Sequence, residues 1–200
     1  MTFGPLEIAF DDRVLRPREW TTEQSLWAAE LLRAAPQGPV LELCAGAGQI
    51  GLLAVAGSGR RLVCVDANPV ACRYARVNAE AAGLAALVEV REGRLEEALG
   101  EDERFALVLA DPPWVRREET GRFPDDPLLA IDGGDDGLDV ARSCLKVIER
   151  HLLPTAHGLL QLGSPEQVEA LRGDPWLAAT GLTLAEVRPH ERGVLVLVRR

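Results

Sequence analysis

Val40-Leu41-Glu42-Leu43-Cys44-Ala45-Gly46-Ala47-Gly48-Gln49-Ile50-Gly51 runs from a short apolar stretch through glycines into a helical pattern. Val40–Cys44 reads as a strand covered on both faces, because its apolar residues are nearly continuous rather than alternating. Glycines after it let the chain turn tightly and let a ligand lie against bare backbone. A helix is expected over Ile50–Ala56. Strand, glycine turn and helix in this order open a doubly wound α/β domain, which binds ligands outside the carboxyl ends of its strands.

Downstream, the same alternation repeats. A strand, Leu62–Val65, ends at Asp66, and a helix from Pro69 to Ala82 follows, with proline at the favoured first position. Further strands are expected at Ala86–Val90, Phe105–Ala110, Leu159–Leu162, Leu182–Val187 and Gly193–Val198, the last two joined by a turn at Pro189–Arg192. Helical patterns fall at Leu95–Leu99, Leu138–His151 and Glu166–Leu171, and a long polar excursion occupies 115–137. Upstream, Leu6–Phe10 reads as a strand, Asp11-Asp12 as a turn and Val14-Leu15 as a return strand. Thr21 or Thr22 can then cap a helix carrying Leu26, Trp27, Leu31 and Leu32 at helical spacing. The expected fold is α/β: a Rossmann-like, doubly wound, mostly parallel seven-stranded sheet with an antiparallel C-terminal edge hairpin. Residues 1–200 form one domain in this reading, with 1–38 packing on the sheet and 115–137 lying on the substrate side.

The 200 residues, 47% hydrophobic, suffice for a core on both faces of such a sheet. The formal charge is −9, from 31 acidic and 22 basic residues, and Lys146 is the single lysine. An acidic chain gains no non-specific grip on phosphate backbones. No stretch matches a membrane span, and Met1–Glu7 lacks the basic-then-apolar pattern of a signal peptide, so a cytoplasmic protein is expected. Cys44, Cys64, Cys72 and Cys144 have no metal-like spacing and read as small core hydrophobes, with no metal implied.

Two places carry chemistry. Gly46-x-Gly48-x-x-Gly51 satisfies the dinucleotide fingerprint, and Asp66 stands where a carboxylate meets a ribose diol. Far downstream, Asp111-Pro112-Pro113-Trp114 closes the strand Phe105–Ala110. Asp111 and the Pro112 carbonyl can each accept a hydrogen bond from one NH2 group and so aim its lone pair. The prolines stiffen the backbone, and Trp114 can stack on a flat amide or base. His151, His157 and His190 all lie away from this edge, which leaves a hydride-transferring dehydrogenase without a base.

The Glu42–Asp66 stretch resembles the class I S-adenosylmethionine-dependent methyltransferases, whose first loop reads acid-x-x-x-Gly-x-Gly and whose second strand ends in an acid. The resemblance implies S-adenosylmethionine held by Glu42, Gly46, Gly48, Asp66, Ala67 and Asp111, with Glu92, Arg94 or backbone at the adenine amine. Arg94 stands where that family more often has Asp. Asn/Asp-Pro-Pro-aromatic is the motif of amino-nitrogen methyltransferases, which implies catalytic roles for Asp111, Pro112 and Trp114. From Val14 to Val198 the chain resembles the HemK group, the release factor glutamine methyltransferases, through Pro17-Arg18-Glu19-Trp20-Thr21 and Gly133-Gly134-Asp135-Asp136-Gly137. That resemblance implies N5 methylation of a protein glutamine, with a release factor or another peptide as substrate. The size is like that of the compact eukaryotic and archaeal relatives, which implies a small activating partner protein. Asp111 departs from the usual Asn and offers acceptors only. An exocyclic base amine in RNA or DNA therefore stands as an alternative acceptor, and a small-metabolite amine as a third. The acidic run Glu118–Asp139 argues against a phosphate-bearing partner.

Overall fold

A computed structural model describes residues 1–200. In chain order the elements are β1 (Thr2–Phe3), β2 (Leu6–Glu7), α1 (Thr22–Leu32), β3 (Val40–Leu43), α2 (Gln49–Val55), β4 (Leu62–Asp66), α3 (Pro69–Ala81), β5 (Val88–Glu92) and β6 (Phe105–Ala110). Then come α4 (Leu128–Ile131), α5 (Asp139–His151), β7 (Leu152–Leu162), α6 (Pro165–Arg172), α7 (Pro175–Thr180), β8 (Thr183–His190) and β9 (Gly193–Arg199). Seven strands form one sheet in the order β5-β4-β3-β6-β7-β9-β8. The first five run parallel, and β9 and β8 pair antiparallel at the edge. The sheet is the expected mostly parallel, Rossmann-like one.

Successive residues of each central strand feed opposite layers. Leu41 and Leu43 join Val108, Ala110 and the inner face of α5, whereas Val40, Leu107 and Leu109 pack toward α1 and α2. Burial on both faces is why β3 and β6 carry almost no polar residue. The exception is Glu42, 2% exposed in the middle of β3. Its Oε1 accepts the Gly51 N–H at 3.0 Å and its Oε2 accepts the Cys64 thiol at 3.4 Å. A carboxyl so deeply desolvated is pushed up to about 8. Gly51 is there for space: a Cβ would stand 2.3 Å from Glu42 Oε2.

Departures from the sequence expectations have local causes. Val14-Leu15 does not return as a strand; the small hairpin is β1 with β2, at residues 2–7. Beyond it the chain is drawn out as a strap. Asn78, buried on α3, accepts the Ala9 N–H at 2.8 Å and donates to the Ala9 carbonyl at 3.0 Å. The expected turn at Asp11-Asp12 is present, closed by Val14 N–H on Asp11 O at 3.1 Å, but Asp11 also accepts the Tyr74 hydroxyl at 2.9 Å and the Arg13 N–H at 3.0 Å, and no return strand pairs after it. Leu26 is 62% exposed, because Gln24 and Ser25 occupy the inward face of α1 and bond to buried carbonyls. Strand β5 begins two residues later than expected, after a turn in which Leu87 N–H reaches Leu84 O. Leu95–Leu99 forms turns rather than a helix, its Ala98 carbonyl being taken by Arg91 at 3.1 Å. Strand β7 starts at Leu152, directly after α5. Helix α7 was not anticipated, although Asp174 capping Trp176 N–H before Pro175 is a regular start signal. No helix is long and apolar enough to cross a membrane.

Gly51→Ala is expected to lower stability by about 1–3 kcal/mol, as overpacking of a buried site does. Urea denaturation monitored by tryptophan fluorescence checks this.

Candidate active site

The chain order reverses between β3 and β6, and the carboxyl ends of β4, β3 and β6 bring Asp66, Cys44–Gly48 and Asp111 to one edge. Cys44 (φ 56°) and Gly46 (φ 54°) take left-handed backbone that swings the loop away from the sheet. Gly48 (φ 80°) starts α2, and a Cβ there would press on Ala75 at 3.2 Å. At Gly46 a Cβ would meet nothing within 4 Å, because its backbone faces open space.

That space is a cavity of about 670 Å³, within the range of cofactor sites. Gly46, Asp66, Ala67, Arg94 and Asp111 line it. Glu42 lies beneath the loop, and Gly48 is packed behind it. Glu92 is exposed at the end of β5, outside the lining. In the tetrapeptide, Pro113 rather than Pro112 reaches the cavity. The Trp114 ring also lies outside the lining, against Gly163, whose Cβ would fall 2.4 Å from it.

Most of the other lining residues were not singled out from the sequence. The strap supplies Leu15 and Arg16, α2 supplies Gln49, the excursion supplies Leu129, and α5 supplies Asp139 and Ser143. Asp139 and Ser143 stand four apart, a polar pair on one face of an otherwise amphipathic helix, and that spacing was a usable signal. In the strap, Pro17-Arg18 belongs to the motif shared with the HemK group and Arg16 and Arg18 stood as candidate anion contacts, whereas Leu15 carried no signal, since its place depends on Asn78 holding Ala9.

Acidic groups lie in and under the floor of the cavity, and burial shifts each toward its neutral form. Asp66 accepts Gly46 N–H at 2.7 Å and Asn68 N–H at 2.8 Å, yet burial still raises its pKa. Asp111 accepts no hydrogen bond from the protein, and burial pushes it up to about 7. Glu42, below, is raised further by both neighbours. The arginines of the lining sit at the rim: Arg18 is paired with Asp126 at 2.8 Å, Arg94 is 3.7 Å from Glu97, and Arg16 lies over the Phe10 ring. A floor of carboxylates without a facing cation suits a positively charged ligand and opposes an anionic pyrophosphate.

The excursion folds over one side. Val115 N–H bonds Ile131 O at 3.0 Å and Gly133 N–H bonds Val115 O at 2.8 Å, which closes 115–133 into a compact loop. The Arg18–Asp126 pair joins this loop to the strap, Arg18 being one of the cavity-lining residues. Phe123, Leu128 and Leu129 are exposed on it.

A family model described as "Methyltransferase small domain" matches residues 24–124. The release factor glutamine methyltransferase of Deinococcus radiodurans is 32% identical over 199 residues, covering 96% of this chain and 68% of that protein. That of Clostridium acetobutylicum is 29% identical over 174 residues, covering 84% of this chain; the chain spans 61% of that relative's length. Among solved structures, the hMettl16 catalytic domain in complex with MAT2A 3'UTR hairpin 6 has the same fold, with a TM-score of 0.75 at 15% identity, covering 96% of this chain and 74% of that one. A loop that opens onto a carboxylate-floored cavity at the switch point therefore occurs in a chain whose sequence and fold agree: it belongs to the small-domain methyltransferase family, HemK-like and related to the release factor glutamine methyltransferases.

Proposed function

We propose that this chain transfers a methyl group from S-adenosylmethionine to an amide or amine nitrogen, and that the acceptor is the N5 nitrogen of a protein glutamine. The observation that carries the reading is the Asp111 carboxylate, which faces the cavity beside Gly46 and Asp66 with no partner of its own. When bound, the cofactor supplies a methyl group on a positively charged sulfur. Asp66 and Ala67 would hold its ribose end, the open backbone at Gly46 its chain, and the rim at Glu92–Arg94 its adenine. Glu42 and Gly48 shape the loop from behind rather than touch the ligand. The buried acidic floor favours a sulfonium over a dinucleotide.

Asp111, which lines the cavity, accepts one hydrogen of the acceptor NH2, and the Pro112 carbonyl, set behind the lining, would have to turn toward it to accept the other. Two fixed hydrogens leave the nitrogen lone pair one direction, toward the cofactor, so the residues act by orientation. Trp114, held against Gly163 outside the cavity lining, backs the turn that carries Asp111. A proton must leave the nitrogen once a fourth bond forms, and a carboxylate near neutrality can take it.

The glutamine assignment draws on the named relatives and on the charge of the excursion. Residues 115–137 carry Glu118, Glu119, Asp125, Asp126, Asp132, Asp135 and Asp136 against three arginines, two of which are paired internally. Such a rim suits a basic protein segment better than a phosphate backbone. Exposed Leu128 and Leu129 would give it apolar anchors. The second reading, an exocyclic base amine, is favoured by one residue only: a carboxylate at 111 suits a pure donor as well as it suits a carboxamide.

Asp111→Ala is expected to reduce methyl transfer by about 100-fold or more. Affinity for S-adenosylmethionine, read by calorimetry, should fall only about fivefold, as for one partly solvated charge. Labelled-methyl transfer to a Gly-Gly-Gln peptide, to RNA and to a small-molecule fraction separates the acceptors. Label in the peptide supports the reading; salt-sensitive label in RNA alone replaces it.

A carboxyl raised from 3.8 to about 7 stays protonated in the folded chain after the unfolded chain has lost its proton. Its contribution is complete below pH about 4 and is lost as the pH rises through about 7. Asp111→Asn should therefore raise stability by about 2 kcal/mol at pH 8 and by almost nothing at pH 4. Melting at the two pH values measures the difference. Binding of the sulfonium to wild type at pH 7 should also release part of a proton, seen as buffer-dependent heat, and the Asn variant should lose most of it.

A further inference from the structure

The catalytic tetrapeptide has few means of fixing itself. Pro112 and Pro113 lack N–H groups, and the Asp111 side chain is unpartnered. Its two flanking carbonyls are nevertheless held, each by a glutamine from outside the strand and its turn. Ahead of it, Gln24 on α1 donates through Nε2 to Ala110 O at 3.1 Å and to Leu159 O at 3.2 Å, tying the last residue of β6 to β7. Behind it, Gln167 on α6 donates through Nε2 to Trp114 O at 2.9 Å and also lies 3.4 Å from Gly137 O. Gln167 is itself fixed, since its Oε1 accepts Gly163 N–H at 2.8 Å. Gly163 is also the residue under the Trp114 ring.

Gln24 is fully buried, and its Oε1 has no partner. A buried acceptor left open is costly in a core, and an apolar residue of that size would avoid it. What the glutamine brings that an apolar residue cannot is the NH2 group on the two carbonyls. Gln167 has the complementary task. Trp114 begins the excursion and Gly137 ends it, so one amide grips both feet of the loop.

We propose that Gln24 and Gln167 are positioning residues that clamp the Asp111–Trp114 turn from either side, setting the aim of the carboxylate and the plane of the indole. The inference rests on Asp111 as the group that orients the acceptor. Neither glutamine touches the cavity. Gln167→Glu keeps the acceptor for Gly163 N–H and removes the donor to Trp114 O. Gln24→Leu removes both donations from Gln24; where it fails to fold, Gln24→Met at the same position replaces it.

Two spectroscopic signals test the clamp without an acceptor. In Gln167→Glu the indole N–H resonance of Trp114 should shift or broaden, while those of Trp20, Trp27 and Trp176 stay in place. In the Gln24 variant the carboxyl titration of Asp111, followed by 13C, should move down toward the ordinary range as water enters. With S-adenosylmethionine and a Gly-Gly-Gln peptide, kcat should fall about 10- to 100-fold in each variant, with cofactor affinity within about twofold, as for a misplacement near 1 Å. An unmoved Trp114 resonance, an unmoved Asp111 titration, or a loss spread equally over all four indoles and cofactor affinity overturns the inference. If wild type leaves the peptide unmethylated, the glutamine acceptor fails, and the two spectra still decide the clamp.

Discussion

Everything at the ligand edge stands on the bond between the Glu42 carboxylate and the Gly51 N–H. It ties the middle of the first central strand to the first helix from below, and the glycine loop is the arch between those two points. A polar group in so dry a layer is tolerated because it has two donors, the Gly51 amide and the Cys64 thiol. The glycine at 51 is the other half of the same contact. Backbone freedom has little to do with it; a side chain there would occupy the carboxylate's place. With that joint set, Gly46 is free to present backbone to the cavity and to bind Asp66 through its N–H.

The second organising fact is electrostatic. Asp66 and Asp111 reach the cavity from the ends of their strands and Glu42 lies two residues deeper on the strand between them, each raised by burial. No arginine reaches them, although the chain has many. Those near the mouth are engaged with Asp126 and Glu97 or lie over an aromatic ring. The protein therefore keeps a patch of acids without a cationic partner in a place where water is scarce, and they hold their protons until a cation arrives. Acids gathered this way lower the stability of the empty fold and strengthen the attraction for a bound cation.

The sequence disclosed the strands and the edge they share, because buried parallel strands write themselves as unbroken apolar runs. It disclosed Gly46, Asp66 and Asp111 for the same reason: each follows such a run directly, so its position is set by the strand and not by a distant contact. What stayed hidden depends on contacts across long separations. The strap from Ala9 to Arg18 borders the cavity because Asn78, on α3, fixes Ala9. Leu26 looked like core and is exposed, since Gln24 and Ser25 are needed on the inner face to bond carbonyls of other elements. Trp114 belongs to a legible motif, but the surface its ring rests on is Gly163, far along the chain. Periodicity detects apolar burial; it is blind to a polar residue turned inward by a backbone group.

Arg18 and Asp126 are 108 positions apart and meet beside the cavity that Arg18 lines. One belongs to the strap that lines the cavity, the other to the loop formed by the excursion. The pair adds a tie between two segments that are each already fixed, the strap by Asn78 and the loop by its own backbone bonds. Dissolved salt, by screening this partly exposed pair, would loosen the strap and the excursion from one another.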